Sequence, residues 1–505
     1  MDQDQSSKFN ILSFSTPKIR ILHLTWLAFF ISFFVWFNHA PFKESILATL
    51  KLTEQEWKTL LIMNVALTIP ARIIIGMLVD KLGPKITFSV LLFTGGVLCF
   101  PFALATDFYT MAISRFMLGF VGAGFVIGIR MVGEWFPAKQ VGVAEGIYGG
   151  WGNFGSAFGL FTLPTIGIFF VSMYGGQESW RYAVMFTGII ALTYSVIYYF
   201  SVSDTPKGST YFKPKKAGAM EVTSVGDFIL YIIMLAPLFL ALGVLNWKLG
   251  PENLKMLPAL ASYLIYAGLA LIYFYQVYHA YKVNKSVFSE PVDEIHRYKF
   301  KQVAVLDMAY LVTFGSELAV VSMLAAFFNS IFGLTEVVAG MLAASYAFMN
   351  LLARPGGGWI SDTFGRRKTL IILLIGLILG YLAMSQISSL KDYVQNPYLL
   401  ITFAVMITMF CSFFVQAGEG AVFAMVPIIK RRMTGQIAGM VGAYGNIGAV
   451  VFLTVYSFVS PEVFFLTIAA TGIVTLIGVY LFLDEPSGQM AEVLPDGTVQ
   501  MIDVT

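Results

Sequence analysis

The sequence predicts an all-α polytopic membrane protein: two six-helix, pseudo-symmetric halves with an inserted two-helix hairpin, about fourteen spans in all. Of the 505 residues, 57% are hydrophobic and 12% are charged, whereas soluble domains carry about a quarter charged residues. The apolar residues fall into windows of roughly 20 to 31 residues, long enough to cross a hydrocarbon layer as a helix. A repeat of motifs between the two halves predicts the symmetry.

Fourteen apolar windows follow one another along the chain, separated by polar loops. They lie at about residues 21–40, 57–79, 86–105, 109–134, 140–170, 183–203, 228–247, 258–281, 302–330, 336–360, 369–388, 398–427, 436–458 and 462–483. The first window is long and no small-residue cleavage site follows it, so we interpret it as an uncleaved helix rather than a signal peptide.

The distribution of basic residues predicts the orientation. With the N-terminus inside, 21 of the 32 Lys and Arg residues fall in inner segments, 7 in outer segments and 4 within spans. This excess predicts a cytoplasmic (inner) membrane protein with both termini cytoplasmic, surrounded by lipid. The net charge of +3 is too weak and scattered to indicate nucleic-acid binding, and the two cysteines, Cys99 and Cys411, predict no disulfide framework. We expect a monomer without metal or cofactor.

Two motif blocks recur at constant offsets. Four residues at the end of the second span return 282 positions later: Arg72, Gly76, Asp80 and Gly83 as Arg354, Gly358, Asp362 and Gly365. A second block returns 293 positions later: Gly146, Gly149, Gly152, Asn153 and Gly155 as Gly439, Gly442, Gly445, Asn446 and Gly448. Parallel repeats of this kind belong to transporters whose substrate site lies between the halves near mid-depth.

The repeat divides the chain into four parts. Residues 1–206 form the first six-helix half and 301–484 the second. Residues 207–300 form a linker with the inserted hydrophobic hairpin, whose role the repeat does not explain. Residues 485–505 form a cytoplasmic tail.

The repeated motifs carry a family resemblance. Gly76-x-x-x-Asp80-Lys81-x-Gly83-Pro84-Lys85 and its second copy, Gly358-x-x-x-Asp362-x-x-Gly365-Arg366-Arg367-Lys368, resemble the loop signature of the major facilitator superfamily, and Arg115-x-x-x-Gly119 resembles its fourth-helix motif. The glycine blocks around Asn153 and Asn446 are similar to signatures of the nitrate/nitrite porter family. The resemblance implies the major facilitator fold and secondary transport of nitrate, nitrite or both by alternating access. The inserted hairpin points to bacterial or cyanobacterial permeases for nitrate assimilation.

Two arginines within spans are candidates for anion binding. Arg72 and Arg354 each precede their loop aspartate by eight residues, which places both about 12 Å inside the membrane boundary. Intramembrane arginines normally face protein or a water-filled cavity, and the planar guanidinium matches two oxygens of a planar oxyanion. We expect the two to clamp the anion. The alternative is that either one pairs with a transmembrane carboxylate.

The family resemblance adds neighbours to the arginines. It implies that Phe125 and Phe314 sandwich the anion and that Tyr310 hydrogen-bonds to it. From the residues alone, a phenylalanine among 46 is better explained by lipid or core packing. Asn153 and Asn446 act either as donors to the anion or as interhelical fasteners.

The glycine spacing predicts moving helix contacts. Three-residue spacing leaves one helix face bare, so partner helices can approach closely and slide. We expect gating or hinge roles for these glycines: Gly149, Gly152, Gly155, Gly442, Gly445 and Gly448. Asp80 and Asp362, with their adjoining cations, are expected to form cytoplasmic gating ion pairs.

Two carboxylates share a helix stripe with the aromatic residues. Asp307 and Glu317 lie at helical spacing from Tyr310 and Phe314. A carboxylate there would repel the anion unless it is neutral, so we expect Glu317, and secondarily Asp307, to couple protons to transport. The alternatives are an ion pair with Arg130 or an exposed position at the mouth. Glu419, near a span end, is expected to be a helix-end or interhelical partner.

Rival functions have less support. Within transport, the rival is a carrier for another small monovalent anion or an organic acid. An integral membrane enzyme would need a nucleophile with its base or a metal set, and the sequence has no His-x-x-x-His, no paired cysteines and no Gly-x-Ser-x-Gly. A sensor would need an effector domain. Proton symport and nitrate/nitrite exchange are both compatible with the motifs.

Overall fold

The computed structural model describes residues 10–136, 138–176, 178–208, 219–289, 292, 297–430, 433–485, 489–493 and 499–503. In these residues it has eighteen α-helices, α1 to α18, and two short strands. Taken singly or joined across short turns, these helices make fourteen segments long and apolar enough to cross a membrane. Each segment corresponds to one of the fourteen predicted windows, so the predicted multi-span helical architecture is confirmed.

The first half contains six spans. Its helices are α1 Pro17–Trp36, α2 Lys43–Leu50, α3 Glu54–Ala66, α4 Thr68–Leu82, α5 Pro84–Ala103, α6 Phe108–Leu118, α7 Gly124–Trp135, α8 Ala138–Tyr174 and α9 Ser179–Ser201. Helices α3 and α4 together make the second span. Helices α6 and α7, joined by a 3₁₀ turn at Gly119–Ala123, make the fourth.

The hairpin and the second half follow in the same pattern. Their helices are α10 Val225–Leu249, α11 Ala259–Val283, α12 Phe300–Phe332, α13 Glu336–Phe348, α14 Ala353–Phe364, α15 Arg366–Met384, α16 Pro397–Ile429, α17 Thr434–Tyr456 and α18 Pro461–Phe482. Helices α13 and α14, joined by a 3₁₀ turn at Met349–Leu351, form the counterpart of the α3–α4 span.

The two spans that carry the arginines are interrupted at matching places. Pro70 is the third residue of α4, and Pro355 is the third residue of α14. Proline is tolerated in the first helical turn, where its missing N–H would have no helical partner, but it disrupts a helix interior. Each proline therefore fits the start of a new segment, and Arg72 and Arg354 lie in its first two turns.

The repeated loop motif forms a tight turn that is closed by a carboxylate. Gly83 and Gly365 have φ angles of +90° and +98°, which glycine adopts at little cost. Asp204 accepts a hydrogen bond from the backbone N–H of Lys85 at 2.7 Å. Glu485 accepts one at 2.7 Å from the first residue of α15. A carboxylate at a helix N-terminus is favourable. In each half, the carboxylate that follows the last helix therefore binds the start of the third span. These contacts lie at the end of the bundle where α1 begins, here called the terminal end.

At the opposite end of the bundle, hydrogen bonds join the two halves. Glu336, at the start of α13, accepts from the backbone N–H of Ser45 at 2.8 Å and from its hydroxyl at 2.5 Å. The side-chain amide of Gln55 on α3 donates to the carbonyl of Ser457, just after α17, at 2.8 Å. The opposite end is therefore closed in this structure.

The inserted hairpin packs against both halves through α10, and α11 packs against α10. The Tyr444 hydroxyl on α17 donates to the carbonyl of Met234 at 2.7 Å. The Lys248 ammonium donates to Gln55 Oε1 at 2.9 Å and lies 4.1 Å from the ring centroid of Phe458. Helix α10 thus reaches the closed contact at the opposite end.

An ion pair precedes the tail, and the tail contains a β-hairpin. Lys299 donates to Asp484 at 2.9 Å, and this hydrogen bond holds the pKa of Asp484 below its ordinary value. Strands β1 Gln489–Val493 and β2 Val499–Asp503 then pair antiparallel. The sequence analysis identified only a tail here, although Asp496-Gly497 between the strands is a dipeptide that favours hairpin turns.

Candidate anion site between the two halves

The structure brings the two arginines together with the two predicted phenylalanines. Arg72 and Arg354 are 0% and 3% exposed, and each lies ten residues, about 15 Å, from the end of its helix. The guanidinium carbons lie 5.3 and 5.5 Å from the ring centroid of Phe125, and 5.0 and 5.8 Å from that of Phe314. Both rings are within the range of cation–π attraction for both arginines.

Each arginine lies against the glycine block of the other half. A Cβ built on Gly149 would lie 3.0 Å from Nε of Arg354, and one built on Gly442 would lie 2.9 Å from Nη1 of Arg72. Arg72 Nη1 also donates to the carbonyl of Gly442. Gly149 and Gly442 are equivalent positions of the repeat, and so are the two arginines. The contacts between the halves therefore follow the pseudo-symmetry of the sequence. A side chain at either glycine would displace the guanidinium.

The two arginines differ in their partners. Arg354 Nη1 lies 2.5 Å from Glu419 Oε2, and Arg354 Nη2 donates to the Tyr310 hydroxyl at 2.9 Å. In Arg72, Nε and Nη2 are buried and have no hydrogen-bond partner in the described part of the chain. Pairing with a transmembrane carboxylate, the alternative left open by the sequence, is therefore found for Arg354. Arg72 keeps one edge of its guanidinium available.

The aromatic residues of α12 form one wall of the site. The Tyr310 and Phe314 rings stack with centroids 5.0 Å apart and planes inclined by 11°. Gly445 makes room for them, because a Cβ there would lie 2.6 Å from Phe314 Cδ1. Phe423, which the sequence analysis did not single out, packs edge-on against Tyr310 at 4.9 Å and Phe125 at 5.1 Å. We refer to the two arginines with Phe125, Phe314 and Tyr310 as the clamp.

A polar layer lies beside the clamp. Glu317 accepts from the Asn350 side-chain amide at 2.5 Å and from that of Asn153, in the other half, at 3.5 Å. Asn446 donates to the carbonyl of Gly442, which also accepts from Arg72. Both predicted asparagines therefore bond to protein here, while each keeps a side-chain oxygen without a partner among the described residues.

The sequence analysis gave too little weight to Glu419 and did not identify Asn350. Glu419, predicted as a helix-end or interhelical partner, is fully buried and interhelical, ten residues before the end of α16. Its signal in the sequence was only that it is a carboxylate within an apolar window. Asn350 lies in the 3₁₀ turn before α14, a break that the apolar window did not reveal.

The carboxylates predicted to couple protons lie in different surroundings. Glu317 and Asp307 are both buried, which rules out exposed positions at the mouth. Neither carboxylate oxygen of Asp307 has a hydrogen-bond partner in the described residues. Arg130, the alternative partner, pairs with Glu134 at 2.7 Å. Of the two carboxylates, Glu317 is the one that joins the polar layer of the site.

Gly152, Gly155, Gly445 and Gly448 pack inside their own halves. A Cβ on Gly152 would lie 2.1 Å from Phe29, and one on Gly155 would lie 2.0 Å from the carbonyl of Phe30, both on α1. Gly445 and Gly448 face α12 in the same way. Across the halves, Gly149 and Gly442 lie against the arginines, and a Cβ on Gly146 would lie 3.3 Å from Cα of Pro355. The gating roles of all six glycines stay a prediction.

The predicted gating aspartates lie at the terminal end. Asp362, near the end of α14, pairs with Arg366, the first residue of α15, at 3.1 Å. The side chain of Asp80 lies outside the described residues. Their gating function stays a prediction.

Comparisons with known proteins agree with this architecture. The family model described as Major Facilitator Superfamily matches residues 25–288 and 306–497. The chain is 47% identical over 517 residues to a nitrate/nitrite transporter, NrtP, of Picosynechococcus sp., covering 94% of both chains. It is 48% identical over 486 residues to the NrtP of Nostoc punctiforme, covering 95% of both.

The fold also resembles a solved structure. The xylose transporter XylE from E. coli, in a partially occluded inward open conformation, matches with a TM-score of 0.57 at 15% identity, covering 94% of this chain and 99% of that one. At this identity the match supports the fold alone. The family model and the two cyanobacterial relatives together identify a membrane transporter rather than an enzyme. The chain belongs to the major facilitator superfamily and, within it, to the nitrate/nitrite porter family.

Proposed function

We propose that this protein carries nitrate and nitrite across the cytoplasmic membrane by alternating access, with the anion held between Arg72 and Arg354. The observation that carries the proposal is the free edge of Arg72. Its Nε and Nη2 are buried, unpartnered among the described residues and directly beside two aromatic rings at the interface of the halves. The names of the cyanobacterial relatives support these substrates.

The chemistry of the clamp suits a small planar oxyanion. The Nε and Nη2 groups of a guanidinium present two parallel N–H donors that match two oxygens of one anion. The Tyr310 hydroxyl accepts from Arg354, so its own proton remains to be donated to the third oxygen. Phe125 and Phe314 keep water from the donors, and charge-assisted hydrogen bonds are stronger where water is excluded. A divalent anion would need more cationic groups.

The contacts between the halves support alternating access. At the level of the site they meet through Arg72 with Gly442 and Arg354 with Gly149. Beyond it, the opposite end is closed by contacts such as Ser45 with Glu336. We propose that rocking of the halves breaks and remakes these contacts around the anion, as in transporters built from parallel repeats. The excess of Lys and Arg in the inner segments supports a cytoplasmic position for the terminal end in this proposal.

Protons are the proposed coupling ion. Glu317 joins the two halves through Asn153 and lies on the same helix as Tyr310 and Phe314. A change in the charge of Glu317 would therefore alter both the binding of the anion and the contact between the halves. Asp307 is a secondary candidate because it is buried without a partner among the described residues.

One reconstitution experiment tests the function. Proteoliposomes containing the purified protein are given labelled nitrate while the internal pH is recorded, with and without nitrite trapped inside, and with formate and chloride as competitors. We expect saturable nitrate uptake that nitrite inhibits and the other anions do not, with internal acidification. Uptake that needs trapped nitrite and is indifferent to the proton gradient would make the protein an exchanger. Absence of nitrate and nitrite uptake would overturn the proposal.

A further inference from the structure

A buried carboxylate already occupies one arm of the clamp. Glu419 Oε2 lies 2.5 Å from Arg354 Nη1, and both side chains are buried. The same guanidinium edge would be needed by an anion held between the two arginines. The other oxygen of Glu419 has no hydrogen-bond partner among the described residues. Glu419 therefore stands where an anionic substrate would compete with it.

The backbone fixes Glu419 at this point. Helices α14 and α16 approach so closely that a Cβ on Gly420 would lie 2.0 Å from the carbonyl oxygen of Arg354. A Cβ on Gly357 would lie 2.0 Å from the carbonyl oxygen of Ala417. These glycines set the two helices at backbone contact on either side of the ion pair. The pair is thus held by main-chain packing, and the side chains are what can rearrange.

Few charged groups lie near Glu419. Arg354 on α14, Glu317 on α12 and Arg72 on α4 act on it electrostatically, and Tyr310 on α12 bonds to the same arginine. Of the other helices packed against α16, α17 carries no charged residue. The charged residues of α13 and α15 lie in their first three positions, at the ends of the bundle. Helix α8 also packs against α16; its Tyr148 interacts electrostatically with both arginines, and it carries Glu145 one turn before Gly149.

With both carboxylates ionised, the charges in this set balance before an anion enters. Two arginines and two ionised carboxylates sum to zero. A monovalent anion adds one negative charge that would be uncompensated in a medium of low dielectric, where an unpaired charge is costly. One proton taken up by the carboxylate pair restores neutrality. The carboxylates of this set are Glu317 and Glu419.

We propose, building on the proposed anion clamp, that Glu419 is an internal competitor of the substrate and a specificity-determining residue. The anion displaces the Glu419 carboxylate from Arg354. That ion pair breaks, hydrogen bonds form between Arg354 and the anion, and a proton from water binds the carboxylate pair, so one anion loads with one proton. On release the proton leaves, and Glu419 returns to Arg354. A divalent anion would require two protons and is disfavoured.

The test measures proton uptake together with anion binding. Isothermal titration of the full protein in nanodiscs with sodium nitrate, in buffers of different ionisation enthalpy, counts the protons bound per anion. For the wild type we expect about one proton bound per nitrate. The nitrate affinity should then fall about tenfold for each unit by which the pH rises, over the range in which the proton is taken up. Glu419→Gln removes the competitor, so we expect no proton uptake, a pH-independent affinity and binding at least about tenfold tighter at pH 8.

The controls separate this proposal from simpler ones. Glu134→Gln removes a carboxylate that also pairs with an arginine, but away from the clamp, and should match the wild type. If Glu419 only positioned Arg354, Glu419→Gln would bind nitrate more weakly, and that result would overturn the proposal. Wild-type binding without proton uptake would also overturn it, whatever the stability of the variant, and would leave the anion clamp standing. Absence of nitrate binding by the wild type would overturn the proposed function itself.

Discussion

Replacing Arg72 by lysine separates the charge of the clamp from its geometry. Arg72 presents two buried, unpartnered N–H groups beside Phe125 and Phe314. Lysine keeps the charge but offers a compact, strongly hydrated ammonium in place of the planar fork. The variant loses about one hydrogen bond to a charged group, worth roughly 1.5–3 kcal/mol. We therefore expect a nitrate dissociation constant roughly 10- to 150-fold higher, with a folded protein.

The matching change at Arg354 should behave differently because this arginine has structural partners. Removing its charge, as in Arg354→Gln, leaves Glu419 buried without its cation, and breaking such a pair costs about 3–5 kcal/mol of stability. We expect a clear loss of thermal stability together with loss of transport. Adding Glu419→Gln should restore the stability, since no buried charge is then left unpaired, and should leave transport impaired.

The assay combines three readings on purified protein. Nitrate affinity is measured by titration, transport by uptake of labelled nitrate into proteoliposomes, and stability by the unfolding temperature. Arg72→Lys should lower nitrate affinity and transport but not the unfolding temperature, whereas Arg354→Gln should lower all three. Near-normal affinity and uptake by Arg72→Lys, at equal protein amounts, would refute the reasoning about the free guanidinium edge.

Three further predictions follow from contacts in and around the site. Gly442→Ala places a methyl 2.9 Å from Arg72 Nη1 and should weaken nitrate binding by moving the guanidinium at nearly unchanged unfolding temperature; Gly439→Ala, in the same helix with open space around it, is the control, and equal binding by both variants would argue against the prediction. Glu317→Gln should retain nitrate/nitrite exchange in proteoliposomes but lose the dependence of net uptake on an inward proton gradient; a variant that keeps this dependence would show that Glu317 does not take part. Lys248→Met removes the hydrogen bond from the hairpin to Gln55 and should loosen the closed opposite end, seen as faster labelling of a single cysteine introduced there; labelling at the wild-type rate would count against a bracing role for α10.

The overall fold was predictable because its signals are local and repeated. Membrane thickness sets the length of each apolar window, and the bias in Lys and Arg sets the side of the membrane on which each loop is expected. The constant offsets between motifs predicted which residues of the two halves correspond. The structure shows that this correspondence holds at contact level, since Gly149 and Gly442 each receive the arginine of the other half.

The partners within the site were less predictable because they depend on how helices meet. Glu419 and Arg354 lie 65 residues apart in the chain, and no spacing rule links residues on different helices. The breaks before α4 and α14 were hidden inside continuous apolar windows, although Pro70 and Pro355 marked their positions. The symmetry itself misled in one respect, because matched arginines suggested matched environments. The structure pairs Arg354 with a carboxylate and leaves an edge of Arg72 free.

The most direct test of an anion held between the arginines is a pair of density maps of the full protein in nanodiscs, determined with and without saturating sodium nitrate. We predict nitrate-dependent density between the rings of Phe125 and Phe314, within hydrogen-bond distance of Nε and Nη2 of Arg72. In the same map Glu419 should have moved away from Arg354. Nitrate-dependent density elsewhere, with this space unchanged while the same preparation transports nitrate, would contradict the account.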